Sequence, residues 1–155
     1  MPKLYVLVGV PAAGKSTWVA NQNWAPGTAF VSTDQHVEDY ARKVGKTYSE
    51  VFKDYMPTAI DLMSKQVIAA RKAGVDIVWD QTSTNKAARA RKINMLKDWE
   101  YEAIAVVFLT PGPEELKRRL ASRPGKEIPD SVMKQMINNF SMPSTAEGFN
   151  KVIVL

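Results

Sequence analysis

The sequence predicts an α/β fold: a parallel sheet of about five strands, with helices on both faces and a helical lid. Three observations carry this. Short apolar runs alternate with helical patterns along the whole chain, as crossover-linked parallel strands require. A glycine-rich loop sits between the first strand and the first helix. Polar and acidic residues fall just after several strands, where open α/β sheets collect their ligands.

The first element is Lys3 to Val8 (KLYVLV), apolar enough for a buried parallel strand. The loop after it reads Gly9-Val10-Pro11-Ala12-Ala13-Gly14-Lys15-Ser16-Thr17 and fits G-x-x-x-x-G-K-[ST]. Glycines let backbone N–H groups close around a phosphate chain, and the following helix N-terminus adds partial positive charge. Pro11, Ala12, Ala13, Gly14, Lys15, Ser16 and Thr17 are therefore the expected ATP-binding residues. Lys15 is placed to neutralise the β- and γ-phosphates, and Ser16 to hold Mg²⁺. The predicted fold is thus that of a P-loop NTPase or kinase. The first helix is expected over 16–22.

Pro26-Gly27 turns the chain into a second strand over 28–33, with Asp34 at its carboxyl end. A helix over 35–43 and a break at Val44-Gly45-Lys46 follow. The long stretch over 48–72 is helical, with an interruption expected near Pro57 and an apolar face at Ile60, Met63, Val67 and Ala70. Gly74 closes it. Val75 to Trp79 is a third strand ending at Asp80, and a basic helix over 86–99 follows a polar loop. Further elements are a strand over 102–109, a helix over 113–122, a basic loop at Arg123-Pro124-Gly125-Lys126, a helix over 129–140 and a strand over 151–155.

Composition bounds the function. The 155 residues form one expected domain, 1–155, with a lid at about 114–130. No apolar run approaches the roughly 18 residues of a membrane span. No signal-peptide pattern precedes the first strand, so an intracellular, cytoplasmic enzyme is expected. There is no cysteine and one histidine, which excludes disulfides, thiol catalysis and a Cys/His metal site. The net charge of +5 suits an anionic partner and is also within ordinary scatter.

Three strands deliver reactive groups to one edge: the phosphate loop, Asp34 and Asp80. One carboxylate there is expected to serve Mg²⁺ and another to accept a proton from an attacking hydroxyl. Arg118, Arg119 and Arg123 lead into the basic loop and can bring positive charge onto a transferring phosphoryl group. The segment 81–97 carries Lys86, Arg89, Arg91, Lys92 and Lys97 without an acidic residue, and suits an anionic substrate.

With these residues in view, the chain resembles the kinase domain of polynucleotide 5′-hydroxyl kinases of bacteriophages and of animal kinase–phosphatase proteins. The likeness rests on the 9–17 loop with its proline; on Val31-Ser32-Thr33-Asp34; on Asp80-Gln81-Thr82-Ser83-Thr84-Asn85 through Arg89, similar to D-x-T-(x)₂-N-(x)₃-R; and on Glu115 through Arg123 with Ile128-Pro129 and Met136. The tail Phe140-Ser141-Met142-Pro143 and Glu147-Gly148-Phe149 also matches. The resemblance implies transfer of the γ-phosphoryl of ATP to a nucleic-acid hydroxyl, most simply a 5′-hydroxyl of DNA or RNA. It implies Asp34 as general base, Lys15, Arg119 and Arg123 on the phosphates, Asp80 and Ser16 at Mg²⁺, and Thr82, Asn85 and Arg89 on the acceptor. One departure stands out. Where some phage members carry an acceptor-binding arginine, three residues after the base, this chain has Val37, beside His36. A kinase for a hydroxymethylated base such as 5-hydroxymethyluracil, a small-molecule or nucleoside kinase, and a non-catalytic ATP-binding switch therefore stay open. For a flipped base, Tyr40, Tyr48, Phe52 and Tyr55 are the available aromatic walls, although as a group they suit a core. Oligomeric state is not encoded in any pattern.

Overall fold

Five apolar runs become five parallel strands in the computed structural model, which describes residues 1–155. They are β1 (Lys3–Val8), β2 (Ala29–Val31), β3 (Ile77–Trp79), β4 (Glu102–Val107) and β5 (Lys151–Val154), in the spatial order β2-β3-β1-β4-β5. The helices are α1 (Lys15–Ala20), α2 (Thr33–Val44), α3 (Tyr48–Ala73), α4 (Lys86–Leu96), α5 (Pro113–Ala121) and α6 (Asp130–Asn138), with a 3₁₀ turn at Thr145–Glu147. This is the expected α/β architecture, a five-stranded parallel sheet linked by helices.

The central strand shows why the sheet is covered on both faces. Leu4, Val6, Leu7 and Val8 of β1 are all fully buried. Leu4, Val6 and Val8 join one large core with Met63 and Val67 of α3 and Leu96 of α4. Leu7 points the other way, into a cluster with Phe108 that Trp18 and Trp24 pack against. Tyr5, Trp18, Trp24 and Phe108 meet edge to face there, with ring centroids 5.1–5.7 Å apart, a favourable arrangement for aromatic quadrupoles.

The long helix differs from expectation in two ways. It runs unbroken through Pro57. Proline removes one backbone donor, but Pro57 and Lys53, whose carbonyl loses its partner, are both exposed, so water can satisfy that group. Ile60 is exposed and Ala59 takes the inward place in the stripe that continues through Met63, Val67 and Ala70. A capping box of Thr47 and Glu50 starts α3, and Gly74 ends it at φ 68°. At 26 residues, α3 is about 39 Å long. The sheet's six-residue strands span only about 20 Å. The N-terminal half of α3 therefore projects past the carboxyl edge of the sheet. There it packs on α2 through a separate small core of Val37, Ala41, Val51 and Ala59. This α2–α3 hairpin forms one wall above the edge. Other boundaries shift by a residue or more: β2 is shorter than expected, because Thr33 already belongs to α2, and α4 ends at Leu96 rather than Trp99.

Candidate active site

The loop after β1 is shaped by close approach. A Cβ on Gly9 would lie 3.0 Å from Phe108 Cβ and 3.3 Å from its carbonyl oxygen, so only glycine fits beside the end of β4. The Gly9 N–H donates to the Thr82 carbonyl at 2.9 Å, fixing the loop to the segment after β3. Ala12 (φ 66°) and Gly14 (φ 106°) take left-handed conformations, and such turns gather N–H groups into an anion-binding concavity. Lys15 Nζ donates to the Gly9 and Val10 carbonyls, both at 2.9 Å. Burial lowers its pKa to about 8, although Asp80 and Asp34 pull it upward; Arg123 adds to the lowering. A cation held this way gains from an arriving polyanion. Ser16 and Thr17 are exposed at the start of α1.

Two carboxylates face this loop. Asp34 sits in the first turn of α2 and does not cap it: Ser32 is the cap, accepting from the Gln35 N–H at 3.2 Å. The Tyr48 hydroxyl donates to Asp34 Oδ1 at 2.5 Å. Burial and the hydrogen bond to Asp34 push the Tyr48 phenol well above its ordinary pKa. Asp80 follows β3, its N–H donating to the Val31 carbonyl at 2.8 Å. Its pKa is raised by burial first and by Asp34, while Lys15 and Lys126 oppose the rise. A second carboxylate that adds to the cost of ionising Asp80 makes a place where a further cation is welcome. No three His, Cys, Asp or Glu side chains gather anywhere as a metal-ligand group, so a divalent ion here would be shared with phosphate oxygens. Mg²⁺ accepts that donor set readily.

α5 and the basic segment after it border the site from the far side. Arg119 Nη1 donates to the Ala12 carbonyl at 3.0 Å, and its Nε to Glu115 at 2.8 Å. Arg123 keeps a buried Nη1 without a partner, a donor ready for an oxyanion. Arg118 turns outward instead and pairs with Glu115. The 125–127 backbone is held against the start of α3: the Ser49 N–H donates to the Gly125 carbonyl at 3.0 Å, and the Glu127 N–H to Ser49 Oγ at 2.8 Å. Lys126 pairs with Glu38 of α2, and its ammonium lies 4.7 Å from the centroid of the Tyr48 ring.

The residues expected on the acceptor are less available. Thr82 is half-buried and gives its carbonyl to Gly9. Asn85 is exposed but spends its side-chain oxygen capping α4, accepting from the Ala88 N–H at 2.8 Å. The expectation for Arg89 is corrected. Its side chain is fully buried, donating to Glu147 at 2.8 and 3.2 Å, to the Ser83 carbonyl at 3.0 Å and to Ser141 Oγ at 3.1 Å. With its donors directed inward, it braces the 82–84 loop from behind. Of the aromatic walls, Tyr40 and Tyr55 stack on each other at 4.0 Å, and only Tyr48 reaches a carboxylate of the site.

Several site residues carry no motif. Ser49 and Glu127 meet across 78 residues of sequence, and Gln81 joins Trp79 Nε1 to Thr33 Oγ1 at 3.0 and 3.2 Å. The one available signal was position: Tyr48 and Ser49 open the helix that rises beside Asp34.

A family model described as an AAA domain (AAA_33) matches residues 4–143. Among curated proteins, human heterogeneous nuclear ribonucleoprotein U-like protein 2 is 27% identical over 97% of this chain, which spans 21% of that protein. L-seryl-tRNA(Sec) kinase of Methanococcus maripaludis is 22% identical over 92% of the chain and 54% of its own length. The chain thus covers about a fifth to a half of these relatives. Among solved structures, a candidate kinase from Chloroflexus aurantiacus superposes with a TM-score of 0.70 at 16% identity, covering 99% of this chain and 87% of that one. The Pnkp1/Rnl/Hen1 complex gives a TM-score of 0.58 at 23% identity over 83% of this chain and 43% of that one.

Proposed function

The chain belongs to the AAA domain family, and from that premise we propose that it is an ATP-dependent phosphotransferase acting on a hydroxyl of a nucleic acid. The observation that supports this most is the grouping of Lys15, Asp80 and Asp34 at one sheet edge, close enough that each carboxylate acts on Lys15 and that Asp34 acts on Asp80. A nucleotide switch needs the lysine and a metal-holding acid. A second carboxylate, placed by its own hydrogen bond, suits a reaction with a proton to remove.

In this reading the loop from Pro11 to Thr17 and Lys15 bind the β- and γ-phosphates. Arg119 and Arg123 stabilise the charge that spreads over the transferring group. Ser16 and Asp80 would hold Mg²⁺, which supplies positive charge to the β- and γ-oxygens. The acceptor hydroxyl gives its proton to Asp34 while its oxygen attacks the γ-phosphorus. The bond from that phosphorus to the β–γ bridging oxygen breaks, and its electron pair leaves on ADP. The loop from Arg123 to Lys126, as part of a lid over 114–130, keeps water from the phosphoryl group.

A 5′-hydroxyl is the favoured acceptor. It agrees with the motif resemblance and with the net charge of +5. A small-molecule hydroxyl is the second reading, and Val37 favours it. That position is fully buried in the α2–α3 core, so no acceptor-phosphate grip can arise there.

The test is transfer of labelled γ-phosphate from ATP with Mg²⁺ to 5′-hydroxyl oligonucleotides, to end-blocked duplex containing 5-hydroxymethyluracil, and to nucleosides and sugars. Label at the 5′ end is expected. Label only on the modified duplex or on small alcohols would move the acceptor accordingly. ATP binding without transfer to any acceptor would sink the enzyme reading. Asp34→Asn is expected to lower kcat by about 10²–10⁴-fold while ATP binding, followed by calorimetry, stays near wild type.

A further inference from the structure

Asp34 is reached by a single hydrogen-bond donor, the Tyr48 hydroxyl. Tyr48 in turn is held from above by the segment after α5. The Lys126 ammonium lies over its ring at 4.7 Å, and Phe52 tilts against the ring at 5.5 Å. Lys126 is fixed by Glu38 on α2, one turn beyond Asp34. Beside it, Ser49, the residue after Tyr48, clasps the backbone on either side of Lys126. Gly125 makes this approach close: at φ 74°, a Cβ there would lie 3.2 Å from Thr47 Cβ. One short backbone segment therefore contacts Tyr48 from above, its next-door neighbour through the clasp, and α2 through the ion pair.

We propose that Tyr48 is a positioning residue that makes the orientation of Asp34 depend on the docked state of the 123–127 loop. This deepens the phosphotransferase reading and rests on Asp34 being its base. With the loop docked, Lys126 holds the Tyr48 ring, and the hydroxyl fixes Oδ1 of Asp34, leaving Oδ2 to face the acceptor. With the loop lifted, the ring loses its cationic cover and the carboxylate is released to rotate. The same docking event carries Arg123, with its unpartnered Nη1, onto the donor phosphates. Donor grip and base alignment are thereby completed together, so that a phosphoryl group is exposed to attack only when the base is set.

The test uses the full chain and two variants. Tyr48→Phe keeps the ring and its cation contact but removes the donor. Lys126→Met removes the cation while keeping the aliphatic stem. Loss of a hydrogen bond to a charged group corresponds to about 10–100-fold. Tyr48→Phe is therefore expected to lower kcat by about that factor with KM for ATP within about twofold. Lys126→Met is expected to lower kcat less, and the double variant to fall short of the product of the two effects, since both act through one contact. Independently of turnover, the carbon-13 carboxyl signal of Asp34, assigned by its loss in Asp34→Asn, should move in both single variants. An unmoved Asp34 signal in Lys126→Met, or fully multiplicative losses in the double variant, would overturn the coupling. If wild type transfers no phosphate while the Asp34 signal still responds to Lys126→Met, the coupling stands and the phosphotransferase reading fails. Thermal unfolding of each variant identifies any loss due to misfolding, and Tyr48→Trp, which keeps a cation-binding ring and moves the donor, then serves as the second probe.

Discussion

The two walls of the crevice are fastened in opposite ways. The wall formed by the 82–85 loop is pinned from the interior: three successive carbonyls, those of Thr82, Ser83 and Thr84, accept from Gly9, Arg89 and Ser141, and the Arg89–Glu147 pair behind them is 0% and 6% exposed. The opposite wall, where the 123–127 loop meets the α2–α3 hairpin, is pinned at the surface. Its Lys126–Glu38 pair is 18% and 34% exposed, and its other ties are the exposed hydrogen bonds of Ser49. Buried charge pairs are strongly coupled to folding, whereas exposed ones contribute little and open easily. The difference predicts a division of labour: one wall is part of the core, and the other, with its half-buried ion pair, is expected to open while the core stays folded.

The largest expected effect tests the buried wall. Arg89→Met removes the cation but leaves Glu147 in place, a carboxylate that burial alone would push upward and that the Arg89 hydrogen bonds and the Ser144 N–H hold below its usual pKa. Breaking one partner of such a pair costs about 3–5 kcal/mol. Denaturant unfolding should show that loss at pH 7. Because the Glu147 pKa is depressed in the folded protein, its contribution is present above the ordinary carboxylate range and is lost as pH falls through the folded value. The deficit of Arg89→Met should accordingly shrink in acid. A deficit below about 1 kcal/mol, the level of an exposed pair, would erase the contrast between the walls.

How much of this was legible in the sequence follows the same line. The phosphate loop, Asp34 and Asp80 were legible because each begins within three residues of a strand end, so local pattern and topology suffice. Arg89 was legible as a residue but not in its role, since its partner Glu147 lies 58 residues away and nothing in the spacing says that the two meet beneath a loop. Tyr48 was legible only as an aromatic. Its hydroxyl reaches Asp34 because the α2–α3 turn returns the chain to where α2 began, a geometry set by the tertiary packing of Val37 and Ala41 on Val51 and Ala59. The unbroken helix at Pro57 was missed for a related reason: whether a lost backbone bond matters depends on whether the freed carbonyl faces water.

A second, smaller effect sharpens the contrast on a single helix. One turn after Arg89, Lys92 is also buried, at 7% exposure, but no carboxylate pairs with it. Its ammonium lies 5.4 Å from the centroid of the Trp79 ring. Burial first, and then the charges of Arg91 and Arg89, lower its pKa to about 8. Below about 8 the cost of burying this charge is fully present. As pH rises from there toward the ordinary 10.5, the unfolded chain holds more protons than the folded one, and stability increases. Lys92→Met should therefore stabilise the protein at pH 7 by something on the order of 1–3 kcal/mol, and the gain should fade above pH 8. Destabilisation at pH 7 would mean that the contact with Trp79 outweighs desolvation, and that a buried cation on this wall needs no carboxylate.

The smallest expected change in stability probes the surface wall. Ser49 Oγ accepts from the Glu127 N–H and lies 3.5 Å from the Glu127 carbonyl, while its own N–H to Gly125 survives substitution. Ser49→Ala thus removes both exposed hydrogen bonds of the hydroxyl, of which the shorter is worth about 0.5–1.5 kcal/mol and the 3.5 Å one little, from a segment whose remaining ties are the Gly125 carbonyl and Lys126. Global unfolding should fall by no more than that amount. Amide exchange should respond more selectively. The Glu127 N–H, freed of its acceptor, should exchange faster through local opening, while the N–H of Gly9, donated to Thr82 on the buried wall, should keep its protection beyond what the small global change explains. If both amides accelerate together, the two walls open as one cooperative unit, and the loop does not move independently of the core. Acceleration confined to Glu127 would place the 123–127 loop at the low-stability end of the molecule, where a segment that must open and close belongs.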